Sequence, residues 1–183
     1  LSAALCCKAI KLHTSNTNGE IIIWTHATDS VEKESFMADK WITHEQGGWK
    51  IELSLSLLGE MRTDREKALP NETGGVLIGA YDIARKRIDV VYQVRAPEDS
   101  ISSPTSFIRG CANLPERLKY IHETTLDNLT YIGEWHSHPS VNTQRSTDDV
   151  KLHKAIVGYN RENCLPGCMM ILGSDNFSIF IDE

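Results

Sequence analysis

The chain has 183 residues, 40% of them hydrophobic and 24% charged, the balance of a globular protein with one sizeable core and a short appendage. Its 12 Gly and 6 Pro exclude a collagen-like or low-complexity chain, and no apolar run approaches the ~20 residues of a membrane helix. With 25 acidic and 19 basic residues the net charge is −6, which argues against nucleic acid as the main partner, because phosphate binding needs a basic field.

Residues 1–12 read as a short helix with Leu1, Ala4, Leu5 and Ala9 near one face. Residues 21–25 (IIIWT) read as a buried strand, and the polar stretch 26–48, with Gly47-Gly48, as a connector. A denser pattern begins at Trp49, so the expected division is an N-terminal extension at 1–48 and a domain at 49–183. WKIELS alternates as a strand does. Leu57, Leu58 and Met61 then fall at helical spacing, in a helix that ends before Pro70. Residues 75–80 and 87–94 are two apolar runs separated by YDIARK, an expected antiparallel pair. Residues 96–106 form a loop rich in Ser and Pro, and a helix follows at 114–127. A strand at 130–137, a loop to Arg145, a helix opening at Ser146 and two strands, CMMILG and FSIFID, finish the chain. A sheet interspersed with three helices is an α/β layered domain.

Five cysteines cannot all pair internally, and Cys6 and Cys7 are adjacent. This is no secreted disulfide framework, so a reducing cytoplasm is the expected compartment. Cys164 and Cys168 lack the second pair that a zinc knuckle needs. The opening LSAALCCKAI has no initiator Met and is too short in apolar residues for a secretory signal, which reads as a piece of a longer protein.

The chemistry concentrates in residues 134–149, EWHSHPSVNTQRSTDD. His136 and His138 are two apart on an expected strand, so both imidazoles project from one face while Trp135 and Ser137 face the other. Asp149 lies in the first turn of the next helix, within reach of the strand end across the loop 139–145. Two neutral imidazoles and one carboxylate suit Zn²⁺ and leave a fourth position for water. Each part has a plainer alternative. His-x-His is common on surfaces, and Ser146-x-x-Asp149 alone resembles a helix capping box.

His136-Ser137-His138-Pro139, six residues, then Ser146-Thr147-Asp148-Asp149 resembles the metal motif of the JAMM (MPN+) metalloproteases. An upstream segment, Asn71-Glu72-Thr73-Gly74-Gly75-Val76-Leu77-Ile78-Gly79, looks like the bacterial branch of that family, and the likeness covers about residues 49–183. The resemblance implies a cytidine-deaminase-like fold, a mixed β-sheet flanked by helices. It implies one Zn²⁺ on His136, His138 and Asp149, a catalytic Glu72 on an early strand, and Ser146 donating to the oxyanion. Glu134 is a rival carboxylate, on the same strand face as the two histidines; it also suits a partner to an imidazole N–H.

The implied reaction is peptide or isopeptide hydrolysis after the C-terminal glycine of a ubiquitin-like protein, with E1- and E2-like enzymes as further partners. The loop 96–110, with Ser102, Ser103, Pro104 and Phe107, is a candidate flap offering a sheet edge to a Gly-Gly tail, or simply a solvated loop. The first residues would fit the tail of an upstream E1-like domain. A cell-wall or phage-type metallopeptidase and an inactive scaffold are the alternatives. Dead members of the family typically lose ligands, whereas this sequence keeps the whole set.

Overall fold

The computed structural model describes residues 40–183 in full and, before them, the backbone of three strands at 11–14, 21–27 and 30–36. These strands, β1 (Lys11–Thr14), β2 (Ile21–Ala27) and β3 (Ser30–Phe36), form an antiparallel sheet of order β1-β2-β3. The strand expected at 21–25 is β2. The helix expected at 1–12 lies outside the described residues up to position 10, and Lys11 and Leu12 belong to β1. Residues 1–40 and 41–183 are separate compact units.

The second unit is built on a seven-stranded mixed sheet. Its strands are β4 (Trp41–Gln46), β5 (Trp49–Ser54), β6 (Gly74–Asp82), β7 (Arg87–Arg95), β10 (Thr130–Ser137), β11 (Gly167–Leu172) and β12 (Phe177–Asp182). Their order is β12-β11-β10-β6-β7-β5-β4, with β10/β11 and β5/β7 parallel and the other pairs antiparallel. The connector expected at 26–48 is corrected here, because it contains β3 and β4. Gly47 and Gly48 both have positive φ (60° and 80°), the backbone of a two-residue hairpin turn, and they join β4 to β5 with Gln46 opposite Trp49. A glycine pair read as a break is in fact a turn. β4 is an edge strand with Ile42 and His44 half-buried and their neighbours exposed, so no apolar run announces it.

Side-chain alternation sorts the sheet into two faces. One face carries Ile51, Leu53, Leu77, Ile88, Val90, Trp135, Met170 and Leu172, buried against Leu57, Leu58 and Met61 of helix α1 (Leu55–Ala68). The other face carries Val76, Ile78 and Val94 beneath Leu114 of α2 (Leu114–Thr124), and Met169 and Ile171 beneath Ile156 of α3 (Thr147–Arg161). α2 stops short of the expected residue 127, because Leu126 and Asp127 adopt positive φ and turn the chain. The loop expected at 96–106 is also corrected. It contains a small hairpin of β8 (Ile101–Ser103) and β9 (Ser106–Ile108). Short strands rich in Ser lack the hydrophobic alternation that would reveal them.

Candidate active site

The site lies where the C-terminal end of β10 meets the start of α3. Glu134 and His136 project from the α2/α3 face of β10, while Trp135 enters the opposite core. His138 has left the ladder, and its amide donates to the Leu172 carbonyl at the end of β11 (2.9 Å). Its Nδ1–H donates to the Asn142 carbonyl oxygen (2.7 Å), which fixes the tautomer and turns the Nε2 lone pair inward. No residue-type signal marked Asn142, since the contact is through its main chain.

Ser146 is the N-cap of α3. Its Oγ accepts from the Asp149 amide (3.2 Å) and its own amide donates to Asp149 Oδ2 (2.6 Å), a complete capping box. The box spends Oδ2 on the backbone and presents Oδ1 to His136 Nε2 at 3.2 Å. Burial pushes the Asp149 carboxyl up, but the hydrogen bond and charge of His136, with the Ser146 contacts, hold it well below the usual carboxylate range. The Ser146 hydroxyl accepts at the cap with a lone pair, so its proton stays available to another acceptor.

The two imidazole Nε2 atoms are 3.2 Å apart, and His138 Nε2 is 3.9 Å from Asp149 Oδ2. One ligand atom from each of the three residues falls within a 4.8 Å group. A tetrahedral zinc with bonds of ~2.0–2.1 Å needs its ligand atoms about 3.3 Å apart. The donor types fit zinc, and both contacts of His136 Nε2, at 3.2 Å, match that spacing, while the Asp149 carboxylate stands farther from His138.

Glu72 reaches the site by strand register. Gly74 pairs with His136, so the chain two residues earlier runs level with His138. Ser137 and Thr73 exchange two bonds, Ser137 N–H to Thr73 O (2.7 Å) and Thr73 N–H to Ser137 Oγ (3.0 Å). Glu72 thus precedes β6 and is not on it, a correction to the expected strand position. It is 7% exposed, and its carboxylate takes no hydrogen bond from the described residues. Burial pushes the carboxyl up, His136 and His138 pull it down, and Asp149 pushes it up again, for a net rise.

The β8–β9 hairpin closes over this segment. The Glu72 amide donates to the Ser103 carbonyl (2.9 Å), and the Ser102 hydroxyl donates to the Glu72 carbonyl. Phe107 crosses Gly74 so closely that a Cβ there would lie 2.6 Å from its ring and 2.3 Å from the Trp135 carbonyl oxygen. Just beyond β9, Arg109 pairs with Glu134 (2.8 Å), whose Oε1 also accepts from the Tyr131 hydroxyl (3.4 Å). Glu134 is therefore occupied by Arg109, not by an imidazole N–H. Nothing in the sequence links Arg109 to position 134. Together Glu72, Pro104, Phe107, His138 and Ser146 line a cleft of about 600 Å³.

Residues 54–181 match the family described as prokaryotic homologs of the JAB domain. The chain is 34% identical over 148 residues to the CD-NTase/cGAS isopeptidase of Enterobacter hormaechei subsp. hoffmannii (strain UCI 50), covering 80% of this chain and 81% of that one. A solution structure of a Desulfitobacterium hafniense protein aligns at TM-score 0.48 and 20% identity, over 72% of this chain and 82% of that chain. A crystal structure of a JAB1/MPN domain protein from Archaeoglobus fulgidus aligns at TM-score 0.42 and 18% identity, over 70% and 86%. No helix among the described residues is long and apolar enough to cross a membrane. On the match across residues 54–181 and the 34%-identical relative, the chain belongs to the prokaryotic JAB-domain family.

Proposed function

We propose that this chain is a zinc-dependent isopeptidase that hydrolyses the bond after the C-terminal glycine of a ubiquitin-like protein. The observation that carries the reading is the convergence of His136 Nε2, His138 Nε2 and an Asp149 oxygen within 4.8 Å, in the cleft that Glu72 and Ser146 also line. The likeness to a CD-NTase/cGAS isopeptidase supports the bond type, and it makes a lysine of a CD-NTase-like protein the first choice of target.

His136, His138 and Asp149 would hold the zinc, which when bound supplies a positive charge that acidifies water and polarises a carbonyl. Glu72 has the placement and the raised carboxyl of a proton carrier. It takes a proton from the attacking water and returns it to the leaving lysine amine, so that one water is consumed and a glycine carboxylate and an amine are released. The Ser146 O–H donates to the oxygen on which negative charge develops. Asn142 keeps the His138 ring in its tautomer, and the capping box keeps Asp149 Oδ1 pointed at the site.

The hairpin supports a preference for glycine in this reading. β8 and β9 form a sheet of only two strands, so an extended tail has an edge to join. Pro104 and Phe107 stand over the cleft, and a tail without Cβ atoms passes beneath them where a bulkier one would not.

The test compares two substrates at equal concentration: a ubiquitin-like protein ending in Gly-Gly joined to a lysine side chain, and a cell-wall-type cross-linked peptide. The expected result is cleavage of the first only, abolished by a chelator. Cleavage of the second alone would move the chain to the cell-wall reading. Binding without cleavage, in zinc-loaded protein, would favour an inactive scaffold. E1- and E2-like enzymes enter this scheme only as the source of the conjugate.

A further inference from the structure

Helix α1 buries one face, and the buried positions are Leu57, Leu58, Met61 and Arg65. Spacing of four places Arg65 on the same stripe as Leu57 and Met61, where an apolar residue would serve packing alone. Arg65 is 6% exposed. A guanidinium taken out of water is costly unless its donors are satisfied. No carboxylate pairs with it among the described residues. Its Nε–H instead donates to the His138 carbonyl (3.0 Å) and its Nη2–H to the Pro139 carbonyl (2.7 Å).

Those two carbonyls begin the loop that leaves β10. His136 is held by the sheet ladder through its pairing with Gly74 and Ile171. His138 lies past the ladder and is held by three separate contacts: its amide to Leu172, its ring to Asn142 and its carbonyl to Arg65. Only the last comes from α1, and α1 is the element that runs through residues 69–71 into Glu72. The planar fork of Arg65 therefore spans the two chain segments whose relative placement sets the site.

We propose that Arg65 is a positioning residue for the metal centre, fixing the His138–Pro139 backbone against the segment that delivers Glu72. The proposal rests on the zinc reading above. It also explains why a buried arginine occupies an apolar stripe. Arg65 itself touches neither substrate nor metal in this account. Lysine can satisfy one of the two carbonyls from a flexible stem, and glutamine cannot reproduce the fork.

The test uses the full chain with Arg65→Lys and Arg65→Gln, and Leu58→Ala as a control that weakens the α1 core without touching the loop. Zinc affinity is read by competition with a chelator of known strength, and melting temperature is read on metal-free protein. Arg65→Gln should weaken zinc binding about 10- to 100-fold, the usual cost of losing a contact that orients a ligand. Arg65→Lys should fall between Arg65→Gln and wild type, and Leu58→Ala should melt lower yet bind zinc as wild type does. Wild-type affinity in a folded Arg65→Gln variant would overturn the proposal. So would an equal loss of affinity in Leu58→Ala at a matched drop in melting temperature, which would reduce Arg65 to general stability. If Arg65→Gln does not fold, the Arg65→Lys and Leu58→Ala comparison decides by the same criteria. A wild-type chain that takes up no zinc would instead sink the metal reading, a failure visible before any substitution is made.

Discussion

Glu72→Gln separates chemistry from architecture more sharply than any other single change. The substitution keeps the size and polarity of a side chain that is 7% exposed, and it removes the proton acceptor and the charge. Burial raises the Glu72 carboxyl above its ordinary value. A raised carboxyl in the folded state means that ionising it costs stability. That cost is absent below the unfolded pKa, grows as pH rises through the folded pKa, and is complete above it. Once pH exceeds the folded pKa the wild type carries the full penalty, and glutamine relieves it. Metal-free Glu72→Gln should melt no lower than wild type at pH 7, and its advantage should vanish in acid.

Zinc content should be unchanged, because Glu72 is not among the three assigned ligands. Turnover of a conjugate should fall at least ~100-fold, the low end for general acid–base catalysis. Elemental analysis, a melting curve and a single-turnover assay on the same preparation give all three readings. A variant that cleaves near the wild-type rate refutes the assignment of the base, and one that loses its zinc places Glu72 among the ligands. Glu134→Gln provides the contrast. It disturbs the Arg109 pair, so it should melt lower while retaining zinc.

Ser146→Ala should cost about 1 kcal/mol through loss of the helix cap, and it should also slow turnover ~100-fold or more if the hydroxyl proton serves the oxyanion. A melting curve beside a rate measurement tells the two apart, and a cap defect with normal turnover would remove Ser146 from the chemistry. Gly74→Ala should destabilise the fold by about 1–3 kcal/mol, since its Cβ would meet the Trp135 carbonyl oxygen and the Phe107 ring. Denaturant unfolding checks the value, and a neutral Gly74→Ala would mean that the hairpin does not press on β6.

Much of the site was legible because it depends on local periodicity. His136 and His138 share a strand face by alternation, and Ser146 and Asp149 meet by the geometry of a helix start. The core strands β6, β7, β10 and β11 announced themselves as apolar runs. What escaped depended on partners distant in sequence. β4 is a half-exposed edge strand whose pairing with β5 is made by a Gly-Gly turn, and β8, which pairs with β9, is held by Ser102 and Ser103 to the backbone of Glu72. The partner of Glu134 is Arg109, 25 residues away, which carries no signature of its own in the sequence. Arg65 shares the stripe of Leu57 and Met61, and only the fold reveals its burial and the two carbonyls that explain it.

One titration decides whether the chain is a zinc-dependent isopeptidase. The full chain is stripped of metal with a chelator, and zinc is returned in steps while release of a Gly-Gly-ended ubiquitin-like protein from a lysine-linked conjugate is followed. Activity should start at background, rise linearly and level off at one zinc per chain, as expected for the single His136, His138 and Asp149 group among the described residues. Full activity in the stripped chain, or no cleavage once one zinc per chain is bound, would contradict the account.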